Sequence, residues 1–426
     1  MKLITAPELN RRTFLGAAAG AAALALAPLG APGAAAAPKA GQGGRLIPPP
    51  RVGTITYTQR DVPGRLGIAT GAATMGYLGG ANFPADPTDL GPLVPLPGGW
   101  KELLEYLAAV GINQVEFAGY GQNANNPGGT ASYSATPEGR AAYLAYAGVL
   151  RGFLDDNGLE AIGNHGFIPA TWYGPNSAGG TMTTADYDRL QTELEFASIL
   201  GMPYMGTGND PTSANNRNIE PWTIAGEKWE ALNLLSTKWG IQMYTHNHDP
   251  AYNFLQDGPM VTVTEDRVTG APIAPIQVRA ESGKRLMQHY LDITNPDLVV
   301  VEMDIYWAHV AQHKHRWRYD ENGKRVEDIF DPLATVAMQT HRYPLYHAKD
   351  GDRTTDPVGV GNGYTMVPFG DPTSDIDYQT FFKQQGAKGS HNPNYEQDNA
   401  PGGSADPGRS LRSTAISAAN MNDIRG

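Results

Sequence analysis

Two histidines separated by one residue, His246 and His248, directly follow the strand-like run IQMYT. Successive side chains of a strand point to opposite faces, so residues two positions apart leave the strand on the same side. Two imidazoles on one side can bind a divalent metal or transfer protons, or they can be satisfied by hydrogen bonds within a loop. The spacing by itself leaves these alternatives open.

Three later segments repeat the arrangement of an apolar, β-rich run that ends in polar side chains. Each carries a pair of residues that could bind a metal or move a proton: Glu302 and Asp304 in LVVVEMDIYW, His347 and Lys349 in YPLYHAKD, and Glu396 and Asp398 in NYEQDN. One such coincidence means little, but four in succession predict a single site to which several strands contribute.

The elements that must position these residues alternate along the chain between strand-like and helix-like segments. Eight strand-like runs, from GIATGAATMGY and INQVEFAGY to NYEQDN, are each followed by a segment with apolar residues at helical spacing. This alternation implies parallel strands joined by right-handed crossovers. Eight repeats predict an α/β fold with a single (β/α)8 barrel, the TIM barrel.

Chemistry in such barrels lies at the carboxyl ends of the strands. Candidate polar residues fall at the ends of six predicted strands: Glu116 on the second, His165 on the third, His246 on the fifth, Asp304 on the sixth, His347 on the seventh and Glu396 on the eighth. Unrelated residues of solvated loops would not show this alignment. The sequence therefore predicts a site in the mouth of the barrel.

In this order, the motifs THNHD, NPDLVVVEMDIYW, YPLYHAKD and YEQDN resemble those of the sugar phosphate isomerase/epimerase superfamily, the xylose-isomerase-like TIM barrels. The branch with HNHD on the fifth strand is the most similar, and the resemblance covers about residues 111–399. It implies one divalent ion, usually manganese, with cobalt, magnesium or zinc as alternatives, held by one residue from each of strands five to eight. The matching positions are His246, Asp304, His347 and Glu396.

The chemistry of this ligand set agrees with that implication. Two imidazoles and two carboxylates suit Mn²⁺, Co²⁺ or Zn²⁺ and leave positions for substrate oxygens. Such an ion can stabilise the enediolate that forms when a proton leaves the carbon next to a carbonyl, which predicts a sugar isomerase or epimerase. A base must lie close to that carbon. The candidates are Glu396, His248, Glu116, His165 and Lys349.

Four residues near these motifs have a structural alternative. Glu302 is expected to be an inner-barrel partner of Lys349 rather than a ligand, and Lys349 either serves as that partner or polarises a substrate oxygen. Tyr306 and Trp307 either pack in the core or bind the apolar face of a sugar. The expected partner of the site is a small carbohydrate or glycoside.

Several other functions stay open. His246 stands where many epimerases of this superfamily have glutamate, so proton abstraction from one side is expected, and elimination from 3-keto-glycosides is an alternative reaction. A barrel that binds carbohydrate without turnover and an endonuclease-like metal hydrolase are further alternatives. The formal net charge of −11 argues against nucleic acid as a partner, because phosphate binding needs clustered positive charge. The oligomeric state is not predicted.

The N-terminal sequence has the parts of a Tat-type export signal. The twin arginine of NRRTFL precedes an alanine-rich apolar run that is too short for stable membrane insertion, and small residues follow. Cleavage after Ala36 would divide the chain into a signal peptide at 1–36, a Gly/Pro-rich linker and extension at 37–64, and the barrel at 65–426. The Tat machinery would place the folded protein outside the cytoplasm, and a chain without cysteine forms no disulfides there.

Overall fold

The computed structural model describes residues 43–121, 133–172, 174–175, 180–213, 215–355, 363–386 and 391–426. The predicted signal peptide, residues 1–36, lies outside these ranges. None of the helices within them combines the length and the apolar character that crossing a bilayer requires.

Within the described residues, eight parallel strands form one sheet: β1 Gly53–Ile55, β2 Gln114–Phe117, β3 Glu160–Asn164, β4 Tyr204–Gly206, β5 Gln242–Thr245, β6 Val300–Asp304, β7 Leu345–Ala348 and β8 Asn392–Tyr395. Their spatial order is β3-β2-β1-β8-β7-β6-β5-β4. A parallel bridge between His165 and Gly206 joins the outer strands β3 and β4. The sheet therefore closes, and the predicted (β/α)8 barrel is confirmed.

Helices cover the outside of the barrel and alternate with its strands. They are α1 Gly99–Ala109, α2 Pro137–Asp156, α3 Thr184–Leu200, α4 Ile219–Ser236, α5 Leu286–Ile293, α6 Ile305–Lys314, α7 Pro332–Met338, α8 Tyr378–Gly386 and α9 Arg409–Asp423. Threonine side chains begin two of them, because Thr136 accepts from the Gly139 amide and Thr183 from the Asp186 amide, each at 3.1 Å. Apolar faces such as Leu103 and Leu107 of α1 are fully buried.

The first barrel strand differs from the prediction. GIATGAATMGY was expected to be this strand, but Met75–Tyr77 pairs instead with Leu93–Pro95 in a separate hairpin. The barrel position belongs to β1, which pairs with β2 and β8 and lies inside the segment assigned to the linker and extension. The three residues of β1 are all buried, whereas two of the three in Met75–Tyr77 are exposed. A strand of three residues is too short to give a periodic signal.

Further hairpins extend the connections that leave the carboxyl ends of β5, β6 and β7. They pair Met260–Glu265 with Pro272–Arg279, Trp317–Tyr319 with Arg325–Glu327, and Asp350–Asp352 with Thr365–Val367. These insertions therefore lie on the side of the barrel where the polar residues were predicted.

Candidate metal centre

The four predicted ligands converge at the carboxyl end of the barrel. His246 directly follows β5, Asp304 ends β6, His347 lies on β7 and Glu396 directly follows β8. The register of β6 and β7 places Asp304 beside His347. All four side chains are buried, so their polar atoms face one another rather than solvent.

Three of these residues offer ligand atoms that lie within 4.8 Å of one another: Asp304, His347 and Glu396. Nδ1 of His347 is 2.6 Å from Oε2 of Glu396 and 4.0 Å from Oδ2 of Asp304. Nε2 of His246 is 3.7 Å from the same oxygen of Asp304. The other oxygen of Asp304 accepts from the Trp307 amide at 2.9 Å and so begins helix α6. One carboxylate therefore both caps a helix and faces the centre.

Lys349 pairs with the acidic residues of this group. Its Nζ lies 2.9 Å from Oδ2 of Asp304, 2.9 Å from Oε2 of Glu396 and 3.1 Å from Oδ1 of Asp398. The predicted pair between Lys349 and Glu302 is therefore wrong. Lys349 lies two residues beyond His347 toward the mouth, whereas Glu302 lies two residues before Asp304 and deeper in the barrel, so the two side chains occupy different layers.

A second group shares His347 and lies one layer deeper. It consists of His165, His246, Glu302 and His347, whose ligand atoms also lie within 4.8 Å of one another. Oε2 of Glu302 is 3.0 Å from Nε2 of His165, 3.2 Å from Nδ1 of His246 and 3.1 Å from Nε2 of His347. Its other oxygen is buried and has no hydrogen-bond partner among the described residues.

The donor set fits a divalent cation. Imidazole nitrogens and carboxylate oxygens are ligands that Mn²⁺, Co²⁺ and Zn²⁺ accept. A buried carboxylate oxygen without a donor, as in Glu302, is costly unless a cation or a hydrogen bond compensates it. The buried group of histidines and carboxylates could therefore bind a metal ion.

Glu116 lies beneath the histidines and is fully buried. Its carboxylate is 3.3 Å from Nε2 of His165 and 3.1 Å from Nε2 of His347, and it accepts from Nδ2 of Asn394 at 2.8 Å and from the Tyr244 hydroxyl. Tyr244 and Asn394 were not predicted to belong to the site. Both lie two residues before a predicted ligand, so the alternation of the strand was the signal that could have found them.

Burial and neighbouring charges shift the pKa values at this centre. Burial raises the pKa of Asp304 to about 6. Burial also raises the pKa of Glu302, and the nearby Glu116 carboxylate raises it further. Burial alone would lower the pKa of His165, but the carboxylates of Glu116 and Glu302 outweigh it and raise that pKa to about 9. Burial lowers the pKa of His248 to about 4. A bound cation would favour the ionised form of each carboxyl group.

The two predicted sugar-binding aromatics differ in accessibility. Tyr306 is fully buried, and its hydroxyl donates to the Tyr364 carbonyl at 2.7 Å. Of its two predicted alternatives, Tyr306 therefore has the one of packing in the core, because its side chain is not exposed. Trp307 is half-buried, and its ring lies 5.6 Å from that of His248 and 5.6 Å from Nζ of Lys349. Trp307 thus stays a candidate contact for substrate.

A cavity of about 880 Å³ opens beside the metal centre. Its walls come from the residues that follow β2, β3 and β4, and from helices α2, α3 and α4. His165 lines this cavity and also contacts Glu116 and Glu302, so the cavity adjoins the centre.

Solved structures with a similar fold include proteins described as sugar phosphate isomerases/epimerases. One such protein from Parabacteroides distasonis is 17% identical, with 90% of this chain and 98% of that one covered and a TM-score of 0.51. A second from the same bacterium is 17% identical over 76% and 91% of the chains, with a TM-score of 0.45. The 3-keto-D-glucoside 4-epimerase of E. coli is 12% identical over 75% and 93%, with a TM-score of 0.41.

At these sequence identities the similarity concerns the fold alone, and the first structure, with a TM-score of 0.51, is the one that supports it. The resemblance to the xylose-isomerase-like TIM barrels is thereby confirmed at the level of the fold. No protein-family model matches the chain, and no curated protein matches it.

Proposed function

We propose that this chain is a divalent-metal-dependent sugar isomerase or epimerase that moves a proton on the carbon next to a carbonyl group. The observation that carries the proposal is the buried convergence of Asp304, His347 and Glu396 at the carboxyl end of a closed barrel, with His246 beside them. The same fold belongs to a sugar phosphate isomerase/epimerase of P. distasonis, which supports the reaction class.

The ion would be held by His246, Asp304, His347 and Glu396, with manganese as the first choice and cobalt, magnesium or zinc as alternatives. When bound, it would withdraw electron density from a carbonyl and its neighbouring hydroxyl and so favour the enediolate. Lys349 contacts two of these carboxylates and is positioned to neutralise negative charge that develops on a substrate oxygen.

Accessibility separates the five candidate bases. Glu116 is fully buried, and the side chains of Lys349 and Glu396 are 2% and 6% exposed. The side chain of His165 is 16% exposed, and His248 is half-buried. The two histidines are therefore the residues that a substrate carbon can approach, and the centroids of their rings lie 5.7 Å (His165) and 5.1 Å (His248) from that of His246. We assign proton transfer to this pair, and to Glu396 if its ion pair with Lys349 opens.

A second reaction shares the same first step. Loss of a proton next to the carbonyl of a 3-keto-glycoside can be followed by departure of the group on the anomeric carbon, which makes the enzyme a lyase. The large cavity beside His165 favours this alternative, because a free monosaccharide would leave most of it unfilled.

Deuterium exchange tests the proposed function. The mature protein, loaded with Mn²⁺, is incubated in D₂O with aldoses, ketoses and 3-keto-glycosides, with and without a chelator. We expect exchange at one carbon that needs the metal and is lost in Glu396→Gln but kept in Glu105→Gln, a residue of α1 whose side chain is 41% exposed. The product then separates isomerisation from elimination.

Three other results would contradict parts of the proposed function. Stoichiometric metal without exchange on any of these compounds would contradict the enzyme and favour a hydrolase or a carbohydrate-binding barrel. Sugar binding that survives chelation would favour the binding barrel. A protein that retains no metal after supplementation would contradict the assigned ligands.

Export is part of the proposal, because NRRTFL and the apolar run after it have the pattern of a Tat signal. Replacing both Arg11 and Arg12 by lysine is expected to retain the protein in the cytoplasm of a Tat-competent bacterium, as measured by fractionation and immunoblotting. Arg45→Lys, which lies beyond the predicted cleavage site, serves as the control. Equal export of the double variant and the control would contradict a twin-arginine signal.

A further inference from the structure

We infer that the cavity beside His165 binds a second ring attached to the reacting sugar, so that the substrate is a glycoside rather than a free monosaccharide. The inference rests on the proposed function, which places the reacting ring at the metal centre. The juxtaposition that carries it is a large, aromatic-lined cavity that shares one wall residue, His165, with that centre.

The cavity has the size and the position that a second ring would require. The cavity measures about 880 Å³, which lies in the upper part of the range of roughly 300–1,000 Å³ for sites that enclose drug-sized ligands. The ring of His165 lies 5.7 Å from the ring of His246 and 5.4 Å from that of His347. A sugar bound at these histidines would therefore carry its substituent directly into the cavity.

The walls present flat surfaces to such a substituent. The guanidinium of Arg189 lies 4.0 Å from the centre of the Phe167 ring and 5.2 Å from that of Tyr133, so the three planar groups form one continuous wall. Trp229 and Tyr120 line other parts of the cavity. Aromatic and guanidinium faces bind the apolar faces of sugars and aromatic rings through dispersion and electrostatic contacts.

A buried donor without a partner marks the inner part of the cavity. Asn164 is 1% exposed, and its Oδ1 accepts from the Gly119 amide at 3.0 Å. Its Nδ2 is buried and has no hydrogen-bond partner within the described residues. A buried donor left without a partner destabilises the folded protein, so this amide is expected to bond an oxygen of the ligand, such as the glycosidic oxygen or a ring hydroxyl.

The charged groups of the cavity favour a neutral ligand over a phosphate. Nζ of Lys228 donates to the Pro169 carbonyl at 2.9 Å, and Arg189 stacks on aromatic rings and lies 3.9 Å from Glu193. Asp210 and Glu193 line the same space, so two acidic residues stand beside the two basic ones. A site for phosphate would instead present clustered donors.

Binding and exchange measurements test the inference with two variants. Ala170 lines the cavity but is exposed and does not belong to the metal centre. The substitution Ala170→Trp would therefore fill the cavity without changing a residue that holds the metal. Phe167→Ala removes a wall of the cavity. The control is Ala271→Trp, an exposed alanine outside the cavity. The binding probes for calorimetry are methyl β-D-glucoside, phenyl β-D-glucoside and cellobiose, which share one ring and differ in the second group.

We expect phenyl β-D-glucoside or cellobiose to bind at least about tenfold more tightly than the methyl glycoside. This preference should vanish in Ala170→Trp and weaken in Phe167→Ala. Ala271→Trp should keep the preference of the wild type. The probe with the higher affinity identifies an aromatic or a sugar as the second ring. Deuterium exchange into the 3-keto derivatives should show the same preference. Equal affinity for all three probes, or a preference that both cavity variants retain, would overturn the inference.

The two proposals fail separately. Binding of the second ring without exchange would contradict the reaction but keep the cavity assignment. Exchange without any preference for a second ring would keep the reaction and overturn the cavity assignment.

Discussion

Glu302 fixes three histidines through one carboxylate oxygen. Its Oε2 lies 3.0–3.2 Å from nitrogen atoms of His165, His246 and His347. A carboxylate that bonds one imidazole nitrogen orients the ring and leaves the other nitrogen for a metal. We therefore expect Glu302→Gln to weaken Mn²⁺ binding about 10- to 100-fold, measured by titration calorimetry on the metal-free protein.

Glu105→Gln is the matched control for that measurement, because Glu105 lies on α1 and pairs with Lys101 at the surface. Its Mn²⁺ affinity should equal that of the wild type. If Glu302→Gln also kept the wild-type affinity while remaining folded, Glu302 would be a core residue with no influence on the metal.

The titration of Asp210 is expected to make the stability of the protein depend on pH. Burial raises the pKa of this carboxyl from 3.8 to about 7, so the folded state holds the proton more tightly than the unfolded state. The resulting stability is fully present below pH 3.8 and is lost as the pH rises through 7. Asp210→Asn keeps an acceptor for the His248 amide, which lies 2.7 Å from Oδ1. We expect urea unfolding to show the variant gaining stability relative to the wild type as the pH rises from 3.8 to about 7, and a pH-independent difference would contradict this.

At the scale of the element, the turn after β4 leaves space for His165. A Cβ on Gly208 would lie 2.5 Å from Nδ1 of His165, closer than non-bonded atoms approach. Gly208→Ala should displace the imidazole from Glu302 and Glu116 and lower metal-dependent exchange at least about tenfold. The three atoms nearest to this Cβ all belong to the His165 side chain, so circular dichroism should show an intact fold.

Gly148 provides the contrast, because a Cβ there meets nothing within 4 Å and the residue lies inside α2. Gly148→Ala should leave exchange unchanged and raise the free energy of unfolding by roughly 0.5–1 kcal/mol. Equal exchange rates in the two variants would show that the position of His165 does not matter to the reaction.

Periodicity made most elements predictable, and its limits explain the error at the first strand. The alternation of strands with helices such as α2 and α3 predicted the barrel. Helices of 17 to 20 residues span several turns, so their apolar residues repeat often enough to be recognised in the sequence. Strand β1 has three residues and is recognised by its pairing with β2 and β8. Pairing between residues far apart in the chain cannot be read from local sequence.

For the whole molecule, parallel strands explain why the site could be predicted in outline but not in its contacts. The four proposed metal ligands could be predicted from their positions at strand ends, because the carboxyl ends of all strands meet at the mouth of the barrel. They are His246, Asp304, His347 and Glu396. Which layer a side chain occupies depends on the stagger between strands, and so the partner of Lys349 was assigned wrongly. Tyr244 and Asn394 belong to a deeper layer that becomes visible with the register.

The metal centre draws together residues from β3 and from β5 to β8, so an ion bound there would tie much of the barrel together. A ligand that binds the folded state alone adds about 2.7 kcal/mol of stability at one hundred times its dissociation constant. Mn²⁺ should therefore raise the Tm of the metal-free protein by several degrees, and a chelator should reverse the change.

The variant Asp304→Asn separates the ion from the fold in this measurement. Asparagine keeps an acceptor for the Trp307 amide at the start of α6 but removes one negative charge from the centre. Its Tm should respond to Mn²⁺ much less than that of Asp423→Asn, whose aspartate is mostly exposed at the end of α9. If Mn²⁺ shifted the Tm of both variants equally, the ion would bind elsewhere, since the loss of a buried carboxylate ligand must weaken a site that contains it.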